Sequence, residues 1–197
     1  MQTMDIMTKD DIRKNILSKR NSLTKEEILK KSRRIFETLI KSPEYQDARN
    51  ILIYASMGSE VRTDDIIENA LAAEKNVFCP KCTDTKNGIM EFVKIGSLSD
   101  LEKGYFGIRE PMIGSDSVIY GTSFSNREIA EATLMVMPLV AYDDENNRIG
   151  YKGGYYDRFL KRFDNLKTIA LAFKVQHSDK IIPSEAHDVK PEFVLSD

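Results

Sequence analysis

Four short apolar runs punctuate the chain: Asn50-Ile51-Leu52-Ile53-Tyr54-Ala55, Val77-Phe78-Cys79, Leu134-Met135-Val136-Met137 and Thr168-Ile169-Ala170-Leu171-Ala172-Phe173. Each is too short for a packed helix and too continuously apolar for a strand with one wet face, so each reads as a strand covered on both sides. Between the first two lies a helical pattern with Ile66, Ile67 and Leu71 on one face. A strand, helix, strand order of this kind implies a right-handed parallel crossover. The expected fold is therefore α/β, with a three-layer architecture in which a mostly parallel central sheet carries helices on both faces, and residues 1–197 form a single domain. The polar loops after Ala55 and after Met137 both leave strands at their carboxyl ends, where such sheets bind ligands.

The remaining pattern fills in this frame. From Thr8 to about Lys41, Ile28, Leu29, Ile35, Phe36, Leu39 and Ile40 recur at helical spacing among Lys, Arg and Glu, which predicts two amphipathic helices broken near Asn21-Ser22-Leu23-Thr24. Thr24 followed by Glu27 is a capping box for the second. Met90 to Val93 reads as a shorter strand, Tyr156 to Arg162 as a helix, and Phe193 to Leu195 as a short last strand, while Pro80 is expected to end the second strand. The stretch from Gly104 to about Arg127, rich in Gly, Ser and Pro, reads as an irregular surface excursion.

Charge and composition exclude several classes. The 29 basic and 31 acidic residues nearly cancel, which argues against nucleic acid as the main partner. The opening MQTMDIMTKDDIRKN is too polar for a signal peptide, and no stretch approaches the roughly 20 apolar residues that span a bilayer. A cytoplasmic protein without membrane contact is expected, with a monomer as the default. Cys79 and Cys82, the two cysteines, form a C-x-x-C. That spacing suits a redox pair or half of a zinc site, but no second pair completes such a site, and two reduced thiols serve as well.

The segment Arg148-Ile149-Gly150-Tyr151-Lys152-Gly153-Gly154-Tyr155-Tyr156-Asp157-Arg158 concentrates the chemistry. Its glycines offer backbone N–H groups unobstructed by Cβ, the helix that follows adds the positive end of its dipole, and Arg148 and Lys152 add two cations. That is the outline of a phosphate cradle. It matches neither a Walker A loop nor a GxGxxG fingerprint, and a tight glycine-rich turn with surface tyrosines accounts for the residues about as well.

Pro138-Leu139-Val140-Ala141-Tyr142-Asp143, then Asn147-Arg148-Ile149-Gly150 and Gly154-Tyr155-Tyr156-Asp157-Arg158, resembles the signature of the 5-formyltetrahydrofolate cyclo-ligase family. The likeness runs along nearly the whole chain, through Lys9 and Arg13 with Leu23-Thr24, Glu60 and Thr63, Pro80-Lys81, Met90-Glu91-Phe92, Gly107 to Pro111, and Gln176 with Pro183, His187 and Asp188. The resemblance implies conversion of 5-formyltetrahydrofolate to 5,10-methenyltetrahydrofolate with hydrolysis of ATP to ADP and phosphate, assisted by magnesium. Phosphorylation of the formyl oxygen makes it a leaving group that the neighbouring amine can displace, so such an enzyme needs cations, N–H donors and a metal rather than a protein nucleophile.

The same resemblance distributes roles. Lys9, Arg13 and the loop from Arg148 through Ile149, Gly150, Tyr151, Lys152, Gly153, Gly154 and Tyr155 to Tyr156 are expected to hold ATP. Ala55, Glu60 and the span Tyr151 to Tyr155 are expected to hold the folate, with Arg148, Lys152 and Tyr155 acting on the transferred group. Asp157 and Asp188 correspond to magnesium ligands. Plainer readings stand beside these: a solvated basic helix face for Lys9 and Arg13, an exposed loop for Glu60, helix packing for the tyrosines, a favourable helix start for Asp157 and a polar turn for Asp188.

Two positions depart from the family pattern. Lys152 stands where glycine is usual, so either the loop adopts a less extreme backbone or an extra cation faces phosphate or folate. Asn146 also replaces a frequent glycine, and asparagine tolerates the left-handed conformation there. An ATP-dependent enzyme of the same fold acting on another amide, and an inactive nucleotide-binding scaffold, are the competing functions; Glu60, Asp157 and Asp188 argue against the scaffold.

Overall fold

The computed structural model describes residues 8–104, 107–122, 132–163 and 165–197. Two helices open it, α1 (Lys9–Asn21) and α2 (Lys25–Leu39), each begun by a capping box, Thr8 with Asp11 and Thr24 with Glu27. A short α3 (Pro43–Asp47), capped by Ser42, leads into β1 (Asn50–Ile53). Then follow α4 (Asp64–Ala72), β2 (Asn76–Asp84), β3 (Ile89–Ile95), β4 (Leu101–Lys103) and β5 (Arg109–Pro111). The chain continues through β6 (Thr133–Pro138), β7 (Ala141–Tyr142), β8 (Arg148–Ile149), α5 (Tyr155–Arg162), β9 (Lys167–Ala172) and β10 (Phe193–Ser196).

Among the described residues the main sheet has six strands in the order β10-β9-β6-β1-β2-β3, parallel except for the β2–β3 hairpin at one edge. Strand periodicity sends successive side chains to opposite faces, and the core divides accordingly. Ile51, Ile53, Leu134, Val136, Ile169 and Leu171 pack with Ile28, Ile35 and Leu39 of α2 and Ile66 and Ile67 of α4. Leu52, Phe78, Met135, Met137 and Ala170 face the other way and pack with Phe159 and Leu160 of α5. The sheet is thus covered on both faces. The first helix does not join either layer; Ile12 and Ile16 pack on Val140, Ala141, Ile149 and Ile182, over the loops beyond the carboxyl ends of β6 and β9.

Three expectations need correction. β2 runs straight through Pro80 to Asp84. Its register with β1 ends at Leu52 opposite Phe78, so Pro80 sits where β2 is paired with β3, and a missing donor costs least on such a one-sided stretch. The excursion from Gly104 to Arg127 contains a real strand, β5, paired with β4, and buries Glu110, Pro111 and Tyr120; three residues are too few to show a period. Residues 105–106 and 123–127 of that stretch lie outside the described residues. The last helix starts at Tyr155, one residue earlier than expected. Among the described residues no helix is long and apolar enough to cross a membrane.

Candidate active site

The loop between β7 and β8 is held by Asp143, whose buried carboxylate accepts from the backbone N–H of Glu145, Asn147 and Ile182 and from the Asn147 side chain. Asn146 takes the tight-turn position with φ of +60°, as expected of asparagine in place of glycine. Asp143 therefore shapes the approach to Arg148 without itself facing a ligand cavity. Gln176 has a similar structural duty: its amide donates to the carbonyls of Leu139 and Val140 and accepts from the Phe173 N–H.

After β8 the backbone passes through three successive positive φ angles, +129° at Lys152, +95° at Gly153 and +62° at Gly154, before α5 begins. Lys152 has thus not relaxed the loop; it occupies a conformation that L side chains rarely adopt, with its own side chain directed to the Asp10 carboxylate at 3.5 Å. A Cβ on Gly153 would lie 2.7 Å from the Tyr155 ring, so glycine is required there. The loop is tied down from two directions. Arg13 Nε donates to the Gly150 carbonyl at 2.9 Å, and Arg158 donates to the Gly153 carbonyl.

The charged groups meet on this side. Arg148 is nearly buried and donates to Asp157 Oδ1 at 2.6 Å and to the Val189 carbonyl at 2.9 Å. Burial pulls its pKa below the ordinary value, opposed by Asp157; an arginine remains protonated regardless. Lys9 Nζ lies 2.5 Å from Asp188 Oδ2 and 3.1 Å from Glu185 Oε1. Burial acts to lower its pKa, but the bonds to Asp188 and Glu185 leave it raised. Asp188 is correspondingly lowered: burial acts upward and is outweighed by Lys9 and the Glu185 N–H.

On the opposite side, the loop after β1 is stitched by Glu60 and Thr63. Thr63 Oγ1 donates to the Tyr54 carbonyl and accepts from the Ser56 N–H, while Glu60 Oε2 accepts from the Met57 N–H at 2.8 Å. Glu60 is buried rather than an exposed loop residue, and burial raises its pKa against the pull of the Met57 N–H and Arg20. Tyr156 packs edge-on against Phe92, and burial pushes its hydroxyl well above the ordinary value.

These two sides enclose one cavity of about 760 Å³ whose wall includes every candidate residue: Lys9, Arg13, Ala55, Glu60, Arg148 to Asp157 and Asp188. Lining residues that sequence reasoning passed over form its apolar part: Tyr54, Met57, Cys82, Met90, Ile108 and Pro138, together with the buried Glu110. Glu110 accepts from Lys81 Nζ at 3.0 Å and from the Cys82 N–H at 3.2 Å. Cys79 and Cys82 do not form a pair. Both are free; Cys79 points into the core on the α2 and α4 side while Cys82 lines the cavity, and burial pushes their pKa values to about 12 and about 11.

The 5-formyltetrahydrofolate cyclo-ligase family model matches residues 5–197. The chain belongs to this family. It is 32% identical over 199 residues to the mouse 5-formyltetrahydrofolate cyclo-ligase, covering 95% of this chain and 92% of the mouse protein. The Haemophilus influenzae 5-formyltetrahydrofolate cyclo-ligase is 27% identical over 188 residues, covering 94% of this chain and 96% of that one. The NMR structure of the Aquifex aeolicus 5,10-methenyltetrahydrofolate synthetase superposes with a TM-score of 0.78 at 28% identity, covering 96% of this chain and 89% of that one. The fold, the enzyme class and the family agree with the sequence reading.

Proposed function

We propose that the cavity binds ATP and 5-formyltetrahydrofolate side by side and converts them to 5,10-methenyltetrahydrofolate, ADP and phosphate. The observation that carries this reading is the juxtaposition, in one cavity, of an end rich in cations and open N–H groups with an apolar end that holds a buried carboxylate. Triphosphate suits the first and a flat, partly apolar ring system with N–H donors suits the second.

In this reading Lys9, Arg13 and the Gly150 to Tyr156 backbone hold the phosphates, and Arg148 faces the charge that develops on the group in flight. The γ-phosphoryl passes to the formyl oxygen: an O–P bond forms, the bond to the β-phosphate oxygen breaks, and ADP leaves. The neighbouring amine then attacks the activated carbon. A C–N bond forms, phosphate departs with the C–O electron pair, and the amine proton is lost to solvent. Glu60 accepts from the ring N–H groups and Ala55 borders the ring, while Tyr155 lies between the ligands and Lys152, whose side chain reaches Asp10 in the free protein, would turn inward to screen the transfer.

Asp157 and Asp188 would hold magnesium, which supplies charge neutralisation for the phosphates. Their donor set fits that ion in kind: two hard carboxylates on one wall, each engaging a cation through one oxygen, Asp157 Oδ1 with Arg148 and Asp188 Oδ2 with Lys9, suit a cation that keeps its waters and shares phosphate oxygens. The family match from residue 5 to 197 supports the chain working as one domain, and a cytoplasmic monomer without nucleic-acid partners is the state proposed for it.

The test is to mix the purified protein with 5-formyltetrahydrofolate, ATP and magnesium and follow the absorbance of the methenyl product. Product that depends on ATP is expected. Its absence, with ATP bound, would instead favour a nucleotide-dependent reaction on another amide.

A further inference from the structure

Arg20 lies just behind the cavity wall, on the same face of α1 as Lys9 and Arg13, and is only 2% exposed. A buried guanidinium is costly unless its donors and its charge both find partners. Its donors go to hydroxyls: Nε to Ser59 Oγ at 3.0 Å, and Nη2 to Tyr151, whose ring it also faces at 5.2 Å from the centroid. The Ser59 hydroxyl in turn donates to Asn21 at the end of α1. One side chain therefore joins α1, the loop after β1 and the glycine loop. Ser59 adjoins Glu60, the buried carboxyl whose pKa burial raises and the Arg20 charge opposes.

We propose that Arg20 is a positioning residue for the folate end of the cavity, fixing Ser59 beside Glu60 and the Tyr151 side chain to α1 without touching either ligand. This rests on the function proposed above. The groups that act on Glu60 come from every surrounding element: Arg20 from α1, Arg62 and the Met57 N–H from its own loop, Tyr54 next to β1, Tyr151 from the glycine loop and Tyr156 from α5. Burial favours the neutral acid, and Arg20 and Arg62 are the cations opposing it. Removal of Arg20 leaves Arg62, which is tethered to the Gly58 carbonyl, and drives Glu60 further toward protonation. A protonated Glu60 is a poorer acceptor for ring N–H groups, so folate binding should weaken and become pH-dependent.

The experiment compares Arg20→Met and Arg20→Lys with the wild-type enzyme, measuring KM for each substrate across pH and titrating the Glu60 carboxyl by carbon NMR. Arg20→Met should raise the folate KM by about tenfold to a hundredfold near neutral pH, with the ATP KM unchanged. In that variant the folate KM should depend on pH more steeply than in the wild type, falling as pH rises and Glu60 ionises. Arg20→Lys restores charge without the fork and should keep the wild-type pH profile at an intermediate KM. The Glu60 titration should move upward in Arg20→Met; an unmoved titration overturns the proposal. So does an equal rise in both KM values with the wild-type pH profile, which a merely structural role would produce. Absence of turnover in the wild-type enzyme removes the folate reading and this one with it, whereas turnover with an unchanged folate KM in Arg20→Met removes this one alone.

Discussion

The two ends of the cavity are built by opposite strategies. At the end formed by α1, the glycine loop and the segment around Asp188, charges are paired with each other: Arg148 with Asp157, Lys9 with Asp188 and Glu185. At the other end the wall is Met57, Cys82, Met90, Ile108 and Pro138, and the buried carboxylates, Glu60 and Glu110, are held by backbone N–H groups as well as by cations. The paired end loses little when a phosphate exchanges one anionic partner for another. The apolar end has no such reserve, and a single polar group there sets what can bind. Binding strength is expected to come from the first and choice of substrate from the second.

Substitutions at each end should separate these roles. Arg148→Ala removes a buried cation and leaves Asp157, among the described residues, only the Val189 N–H, so turnover should fall by about a thousandfold and stability by about 3 kcal/mol; steady-state rates and thermal melts read both, and a wild-type rate would remove Arg148 from the site. Glu60→Gln keeps the shape of the apolar end but not its charge. Folate KM should rise about tenfold or more while ATP KM stays constant, and a change in ATP KM instead would erase the division between the ends.

Smaller effects sharpen the boundary. Lys152→Gly should relieve the backbone at φ of +129° and stabilise by about 1 kcal/mol, whereas Lys152→Ala, which loses the charge but keeps the conformation, should not. A melting temperature unchanged by glycine would mean that the loop carries no strain there. The least effect is expected from thiol reagents. With its pKa at about 11, Cys82 should label slowly at pH 8, more slowly still with folate bound, and the buried Cys79 not at all; mass spectrometry of labelled peptides would show otherwise if Cys79 were reachable.

The sheet was legible because its strands are buried on both faces, and Asn50 to Ala55 or Thr168 to Phe173 cannot be mistaken for solvent-facing segments. Strands β4, β5, β7 and β8 were not, since two or three residues show no period and their pairing is set by tertiary neighbours such as Asp143. The charged end of the cavity was readable from local spacing: Lys9 and Arg13 one turn apart, and the glycines before α5. The apolar end was hidden because Cys82, Met90, Ile108 and Glu110 come from β2, β3, β5 and the turn before it, and converge only when that hairpin folds over. Arg20 was not legible either: in the sequence nothing sets it apart from the other lysines and arginines of α1, and its burial is a property of the fold alone.

In the proposed reaction the two ends meet at the transferred group, so that the γ-phosphoryl lands on the formyl oxygen. Turnover of 5-formyltetrahydrofolate carrying a heavy oxygen isotope in the formyl group, followed by mass analysis of the released phosphate, tests this directly. One heavy oxygen is expected in each phosphate formed. Phosphate without the label, while methenyl product accumulates, would contradict it.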